Sequence, residues 1–517
     1  MSRLAGVTRI ASYLLFSLFV SQNLQAQTIR LLWSSYAHDS QHDAIAPVQS
    51  QAINNILWHT PVDLDPQYTG TSSNLYIHYG TPLITRSNTV IVPVKTGATE
   101  GFEIEALTGA TGVTNWTVPT DYILPTYPSG IWTPSYSPVL TPKSRLYFAG
   151  AGGTVYYCDA PDLTGSTPAI GQIAFYGLAN YIANSNTYKS TVYIDTPITS
   201  DRYGDIFFGF EVTGSDPLNL KSGIARIDFN GTGIWLAASN AAGNTSITEV
   251  AMNCSPALSN DHKTLYIAVD AATTGFGYLT ALDSRTLTPL HSVRLKDVKF
   301  TGNDANVDDD GTASPMVGPD GDVYYGVLEN PQYSNHDRGW LLHFNSALTQ
   351  LKIPGAFGWD DTASVVPASM VPSYHGSSSY LLMTKYNNYA GSPGGNGVNK
   401  IAVLDPESSE TDPISGQTVM NEVLTIAGPT PDAKYTNAYP NAVREWCINS
   451  AAVDPFTKSI LANNEDGNMY RWDMTSNTLT QTNVLTTGLG EAYTPTIVGV
   501  DGTVYGINNA TLFAIGL

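Results

Sequence analysis

The chain has 517 residues, of which 42% are hydrophobic and 13% charged, and its formal net charge is -20 at pH 7. A chain of this length and composition buries a substantial core and is long enough for one large domain. Its excess of negative charge repels phosphate groups, which argues against nucleic acid and anionic lipid as partners. An acidic surface of this kind keeps a protein in solution, and it also leaves open a basic ligand or a bound cation.

Residues 1–26 have the pattern of a secretory signal peptide. Arg3 and Arg9 precede an apolar run from Ile10 to Ser21, and Ala26 ends a small-residue cleavage site. The apolar run is too short to span a membrane, and no later stretch approaches membrane length. We therefore expect a mature domain of residues 27–517 that is secreted or periplasmic, with no stable membrane anchor. Removal of the two arginines moves its formal net charge to -22.

An internal repeat organises the rest of the chain. Five prolines spaced 56 or 59 residues apart each open a short apolar run, a turn and a second apolar run: Pro82, Pro138, Pro197, Pro256 and Pro315. Weaker copies begin at Ser369-Met370-Val371, Ala451-Ala452-Val453 and Pro495-Thr496-Ile497. Eight copies of one supersecondary unit predict a repeat architecture.

The repeat unit consists of strands. Its apolar runs have four to six residues and are bounded by turn residues, as at Asp320-Gly321 and Asp501-Gly502, which are typical of tight hairpins. Three or four short strands in each unit predict an all-β fold, a single eight-bladed β-propeller. Seven blades is the alternative if the long gap between the copies at 369 and 451 hides a misread copy.

The chain ends predict how the ring closes. The last copy, residues 495–517, has room for three strands, and residues 55–62 offer the missing outer strand. Pairing the first strand with the last blade hides two sheet edges that would otherwise invite aggregation.

Several segments resemble the tryptophan-docking repeat of quinoprotein dehydrogenase propellers, Ala-x-Asp-x-x-Thr-Gly-x-x-x-Trp. Residues Ala106 to Trp116 fit this pattern except that Thr108 replaces the Asp, and shorter versions occur at 227–235 and 281–291. The N-terminal stretch from Trp33 to Trp58 is also similar to the first segment of those propellers. The resemblance covers most of the mature chain and implies the propeller fold. It also implies, as one possible activity, quinone-dependent oxidation with pyrroloquinoline quinone (PQQ) and Ca²⁺ in the central channel.

Candidate site residues precede the inner strands, where propellers gather their connections around the channel. The set is rich in carboxylates and aromatic rings: Asp195, Asp310, Glu445, Trp446, Glu491 and Tyr493. Such groups hold a cation, act as acid and base, or stack on a sugar or a flat cofactor. The alternative is that they cap strand ends and bind channel water.

One acidic loop resembles a calcium site. Asn306, Asp308 and Asp310 offer oxygen ligands at alternating positions before Gly311, as calcium loops require. Val317 and Ser314 stand where the two known loop patterns have further acidic ligands, so the site is short of two. A solvated acidic loop is the alternative.

The remaining motifs are weaker. Of the three cysteines, Cys254 and Cys447 both precede inner strands, so a bridge between them is conceivable beside plain buried thiols. His38 and His42 have the spacing of a metal clip but lack a third ligand. Residues 391–397 form a glycine-rich insertion without a following helix, which excludes a phosphate cradle. Five Asn-x-Ser/Thr sites, at 115, 230, 244, 253 and 509, make the chain a glycoprotein if its source is eukaryotic.

Two functions of different class follow. The first is a monomeric, secreted binding protein that takes a small molecule, a glycan or a protein at its channel mouth or blade surface. The second is an oxidoreductase of the quinoprotein kind, against which stands the absence of the adjacent cysteine pair that many such enzymes place over the cofactor.

Overall fold

A computed structural model of the chain describes residues 33–66, 79–97, 100–125, 135–272, 275–307, 313–487 and 493–517. Eight antiparallel sheets follow one another along the chain and form a ring of eight blades. Within the described ranges, no helix is long and apolar enough to cross a membrane. The predicted signal peptide lies outside the described residues.

The first strand, β1 (Asn55–Pro61), belongs to the last blade, and the next strands form blades 1 to 4 in order. Blade 1 contains β2 (Leu83–Ile84), β3 (Thr89–Lys95), β4 (Glu100–Thr108) and β5 (Thr114–Ile123). Blade 2 contains β6 (Val139–Leu140), β7 (Leu146–Ala149), β8 (Thr154–Cys158) and β9 (Ile170–Ala174). Blade 3 contains β10 (Val192–Ile194), β11 (Thr199–Ser200), β12 (Ile206–Val212), β13 (Gly223–Ile227) and β14 (Gly233–Ala237). Blade 4 contains β15 (Glu249–Val250), β16 (Ala257–Leu258), β17 (Thr264–Asp270), β18 (Gly277–Asp283) and β19 (Pro289–Arg294).

Blades 5 to 8 complete the ring. Blade 5 contains β20 (Met316–Val317), β21 (Val323–Val327) and β22 (Trp340–Phe344). Blade 6 contains β23 (Ser364–Pro367), β24 (Tyr380–Tyr386), β25 (Lys400–Thr411) and β26 (Thr418–Ala427). Blade 7 contains β27 (Ala452–Asp454), β28 (Ser459–Asn463), β29 (Asn468–Asp473) and β30 (Thr478–Val484). Blade 8 contains β31 (Ile497–Val498), β32 (Val504–Asn508), β33 (Thr511–Gly516) and β1. In the part of the chain that the structure describes, the short helices α1 (Leu178–Ala183) and α2 (Ser185–Lys189) lie between blades 2 and 3, and α3 (Ala238–Ala242) lies between blades 3 and 4.

The ring closes as the sequence predicted. Strand β1 pairs antiparallel with β33, from Asn55 opposite Gly516 to Pro61 opposite Thr511. Eight blades are therefore confirmed, and the alternative of seven is wrong.

A tryptophan fastens this closing strand to blade 1. Trp58 Nε1 donates to the carbonyl oxygen of Gly109 at 2.7 Å. Its ring lies so close to Gly112 (φ 68°) that a Cβ there would stand 2.7 Å from the ring. Trp116 makes the equivalent contact one blade further on, donating to the carbonyl oxygen of Pro161 at 3.0 Å. The resemblance to the tryptophan-docking repeat thus predicted real contacts between blades.

One repeat copy was placed wrongly. The inner strand of blade 6 is β23, whereas Ser369 and Met370 lie in a 3-10 turn (Ala368–Met370) that follows Pro367. Met370 and Val371 are nevertheless buried. An apolar run indicates that its residues are buried, and at this position the buried residues do not form a strand.

The N-terminal residues 33–51, which we call the rim segment, run around one end of the channel. Backbone carbonyls of the segment accept hydrogen bonds of 2.7 to 3.0 Å from the second residue of six inner strands, namely Ile84, Leu140, Leu258, Val317, Val365 and Val453. Gln51 N donates to Gly502 O in blade 8 at 2.8 Å. Opposite blade 3 the segment instead forms a tight loop, in which Ser34 N donates to His38 O and Ala37 and His38 have positive φ.

Two side chains of the rim segment extend through the channel as far as residues that precede the inner strands. The Tyr36 hydroxyl contacts Thr362 Oγ1 at 2.9 Å and donates to Asn449. His42 Nδ1 lies 2.7 Å from Pro315 O and its Nε2 lies 3.2 Å from Ser255 Oγ. The two rings meet edge to face at 5.1 Å. The rim segment therefore closes this end of the channel, which we call the plugged end.

Candidate functional site

The opposite end of the channel collects the loops that lead into the inner strands, and we call it the loop end. Inner strands of a propeller run in one direction, so residues before them lie at one end and the turns after them lie at the other. Long connections enlarge the loop end at blades 6 and 7. Residues 387–399 and 428–446 are joined there by bonds from Val443 N to Gly397 O (2.9 Å) and from Asn399 Nδ2 to Val443 O (2.8 Å).

Three side chains of the loop end form what we call the acidic recess: Glu445, Cys447 and Glu465. One oxygen or sulfur atom from each lies within 4.8 Å of the others. Glu465 Oε1 accepts the backbone N–H of Glu445 at 3.2 Å, and the Cys447 thiol donates to Glu465 Oε2 at 3.3 Å. The chain supplies two of these residues just before β27 and the third from the turn between β28 and β29.

Burial and like charge control the protonation of the recess. Desolvation, followed by the negative charges of Glu465 and Asp432, raises the pKa of Glu445 to about 8. Desolvation also raises the pKa of Glu465. Arg444 is shared between two acids at long distance, because its Nη1 lies 3.9 Å from Glu465 Oε1 and 3.8 Å from Asp432 Oδ1. The positive charges of Lys385 and Lys434 oppose the rise in the pKa of Glu445 but do not outweigh it.

A buried lysine lies close enough to the recess for its positive charge to act on Glu445. Lys385 Nζ lies 3.7 Å from Asp360 Oδ2 and 5.6 Å from the centre of the Tyr493 ring. Its backbone N–H bonds to Asp361 at 3.1 Å. Desolvation outweighs this contact and the lysine charge, and it raises the pKa of Asp361 to about 7. Both carboxylates of the Asp360-Asp361 pair are thus engaged by the same lysine residue.

The predicted site residues occupy different places. Glu445 lies in the recess, and Tyr493 lies beside Lys385. Trp446 is fully buried in the core between blades 6 and 7, with its ring 5.5 Å from Tyr470. Asp195 is buried near blade 4, where its carbonyl oxygen accepts the N–H of Asn253 at 3.0 Å. Asp310 and Glu491 lie outside the described residues.

The predicted calcium loop is described only in part. Asn306 exchanges two backbone hydrogen bonds of 3.0 Å with Leu328 of blade 5. Nearby Asp304 is engaged by Arg294 and Lys296 at 2.7 and 2.6 Å. Asp308 and Asp310 lie outside the described residues, so calcium binding by this loop stays a prediction.

Two weaker expectations are settled. Cys254 and Cys447 are buried and form no disulfide, so the conceivable bridge between them is wrong. His38 and His42 also do not form the metal clip that their spacing left open. His42 is bonded to Pro315 and Ser255, and His38 Nδ1 instead lies 2.7 Å from Asp43 Oδ1.

Sequence reasoning missed Lys385, Asp432 and Glu465. A usable signal existed for Glu465, because the second strand of each unit returns to the end where the first begins. Turn residues that follow second strands therefore share the loop end with residues that precede first strands. Lys385 sits within β24, where nothing in its spacing marks it as different from other strand residues.

Comparison with known proteins bears on the fold alone. Neither a family model nor a curated protein matches the sequence. Among solved structures the chain is similar to a europium-containing methanol dehydrogenase, with a TM-score of 0.54, 10% identity and coverage of 94% of this chain and 91% of that one. It is also similar to a quinohemoprotein alcohol dehydrogenase from Pseudomonas putida HK5, with a TM-score of 0.51, 11% identity and coverage of 96% of this chain and 77% of that one. For a quinohemoprotein alcohol dehydrogenase from Comamonas testosteroni the TM-score is 0.50 and the identity 10%, with coverage of 93% of this chain and 80% of that one. The chain therefore has the eight-bladed propeller fold that these quinoprotein dehydrogenases have.

The described residues of the loop end do not fit the quinone cofactor that this fold implies. PQQ carries several carboxylates of its own, and the recess already presents Glu445 and Glu465, with Asp432 beside them. Lys385 is held by Asp360, and Arg444 lies between two acids. Carboxylate oxygens and a thiol bind a cation, whereas an anionic cofactor meets like charge here.

Proposed function

We propose that this propeller is a binding protein whose acidic recess takes a cation. One observation carries the proposal: Glu445 and Glu465 face each other within 4.8 Å in a half-buried setting, and the pKa of Glu445 is raised to about 8. A bound cation removes the repulsion between the two carboxylates and allows both to ionise. The cation is either a divalent metal such as Ca²⁺ or the ammonium group of a small molecule, glycan or protein ligand.

Titration calorimetry of the purified protein with CaCl₂, MnCl₂ and spermidine tests this proposal. We expect heat with at least one of these cations, and an affinity that rises from pH 6 to pH 8.5 as Glu445 loses its proton. Glu445→Gln should weaken binding about tenfold or more, since it removes a charge-assisted contact. Glu103→Gln is the control, because Glu103 lies in β4 of blade 1, away from the recess. Equal heats in wild type and Glu445→Gln would remove the recess as the site.

The cellular location is part of the same proposal. Removal of residues 1–26 as a signal peptide delivers the propeller to the periplasm or the outside of the cell. N-terminal sequencing of protein recovered from those fractions should begin at Gln27; recovery of the intact N-terminus from the cytoplasm would contradict it.

Oxidoreductase activity is the second reading, and no contact among the described residues favours it. Absorption spectra after incubation with quinone and Ca²⁺ provide its test.

A further inference from the structure

A cavity lies on the plugged end, between the turns of blades 2, 3 and 4. Its volume is about 520 Å³, which is within the range of small-ligand sites. It adjoins a smaller cavity of about 310 Å³ that is lined in part by His38 and Asp39 of the rim segment. Both cavities share Asp201, Arg202 and His262, so they form one cleft. The cleft opens where the rim segment loops instead of bonding to the inner strand of blade 3.

Cations are concentrated in this cleft. Five of the 24 lysine and arginine residues of the chain line the larger cavity: Lys143, Arg202, Arg226, Lys263 and Arg285. Lys143, Arg202 and Arg285 are exposed. The Lys143 ammonium group lies 3.7 Å from the centre of the Phe229 ring, which fixes its position at the wall. In a protein of net charge -20, this is an unusual place for positive charge.

The acids of the cleft are already engaged. Each of the five lining aspartates caps a turn of its own blade through backbone N–H groups: Asp201, Asp205, Asp228, Asp261 and Asp283. Asp205 also binds Arg226 at 2.5 Å, and Asp261 lies 3.1 Å from Lys263. The carboxylates therefore keep spare lone pairs for hydroxyl donors. Arg202 donates one hydrogen bond to the carbonyl oxygen of Asp261, and its other N–H groups, with exposed Arg285, are positioned for an anionic group.

An aromatic ring completes the lining. Tyr203 is 57% exposed, and the Arg202 guanidinium lies 5.3 Å from its ring centre. Such a ring offers a flat apolar face next to polar groups, which suits the C–H face of a sugar ring. Five acids balance five cations, so the cleft as a whole disfavours a compact multivalent anion and accepts a ligand with few charges and many hydroxyl groups.

We propose that this cleft binds an acidic saccharide, a sugar chain that carries carboxylates and hydroxyl groups. The carboxylate pairs with Arg202 and Arg285, the sugar ring stacks on Tyr203, and hydroxyl groups donate to the capping aspartates. This site lies at the end of the channel opposite the acidic recess and does not depend on cation binding there.

Titration of the purified protein with digalacturonic acid, maltose and inorganic phosphate tests the proposal. We expect binding of digalacturonic acid and none of maltose. Arg285→Ala and Tyr203→Ala should each weaken binding about tenfold, the size expected for loss of a charge-assisted contact or a stacking surface. Lys221→Ala, an exposed lysine in another loop of blade 3, is the control and should change nothing.

Three results would overturn the proposal. Phosphate that binds as tightly as the disaccharide, with the same dependence on Arg285, would make the cleft a general anion site. If maltose binds as tightly as digalacturonic acid, the carboxylate of the ligand has no role in recognition. Absence of binding by wild-type protein that unfolds cooperatively would remove the site altogether.

Discussion

The two ends of the channel treat buried polar groups in opposite ways. At the plugged end, the carbonyls of the rim segment pair with six inner strands, and His42 lies between Pro315 and Ser255. At the loop end, Glu445 and Glu465 face each other. One end is closed by the backbone and side chains of the rim segment, whereas at the other end two carboxylates are left facing each other. The pKa of His42 is lowered and that of Glu445 is raised, so these two groups respond to opposite changes of pH.

The largest expected effect comes from breaking the plugged end. Tyr36→Ala removes a buried ring and its bonds to Thr362 and Asn449, and it should lower the free energy of unfolding by about 3 to 5 kcal/mol. Urea unfolding measures the loss. Phe456→Ala, which removes a 59% exposed ring, is the control and should stay within about 0.5 kcal/mol. A small loss in Tyr36→Ala would mean that the rim segment is not part of the folded core.

Acid should weaken the plugged end next. Desolvation lowers the pKa of His42 to about 4, against the opposing effects of Pro315 O and Asp43. The unfolded chain therefore binds more protons below pH 6.5, and stability falls as pH drops from 6.5 towards 4. At pH 4 this loss amounts to about 3 kcal/mol.

A histidine exchange isolates this contribution. His42→Gln should flatten the acid limb of a plot of unfolding free energy against pH, whereas His291→Gln, at an exposed position, should leave it unchanged. An identical acid limb in wild type and His42→Gln would assign the loss to other groups.

Stability contributed by the loop end should fall in alkali, by less than the stability contributed by His42 falls in acid. The raised pKa of Glu445 means that the folded protein holds a proton which the unfolded chain releases near pH 4.5. Stability contributed by this proton is complete at low pH and is lost as pH rises towards 8. Glu445→Gln should reduce that slope in thermal unfolding scans between pH 5 and 9, and Glu407→Gln should not. The effect is smaller than that of His42 because solvent reaches part of the Glu445 side chain.

The sequence predicted the ring better than the site, for a physical reason. The spacing of the apolar runs located the blades because every blade must bury the same two faces. The last copy has only three strands of its own, so β1 was predicted as its fourth strand. At Ser369 the same signal failed, because Met370 is buried without being in a strand.

Site residues follow no such repetition. Glu445 could be predicted because it precedes an inner strand. Asp195 also does, yet its described backbone contacts are with blades 3 and 4, since eight blades spread equivalent positions around the whole ring. The long loops at 387–399 and 428–446 decide which of these equivalent residues come into contact. The spacing of apolar runs does not predict the conformation of such loops.

The rim segment also bears on the order of folding. Tyr36 bonds to Asn449, 413 residues away, and β1 pairs with the last strand of the chain. Contacts of such sequence separation carry a high loop-closure entropy and slow the search for the native state. The rim segment and β1 therefore reach their native contacts only after blades 7 and 8 have formed, so closure of the ring is a late step in folding.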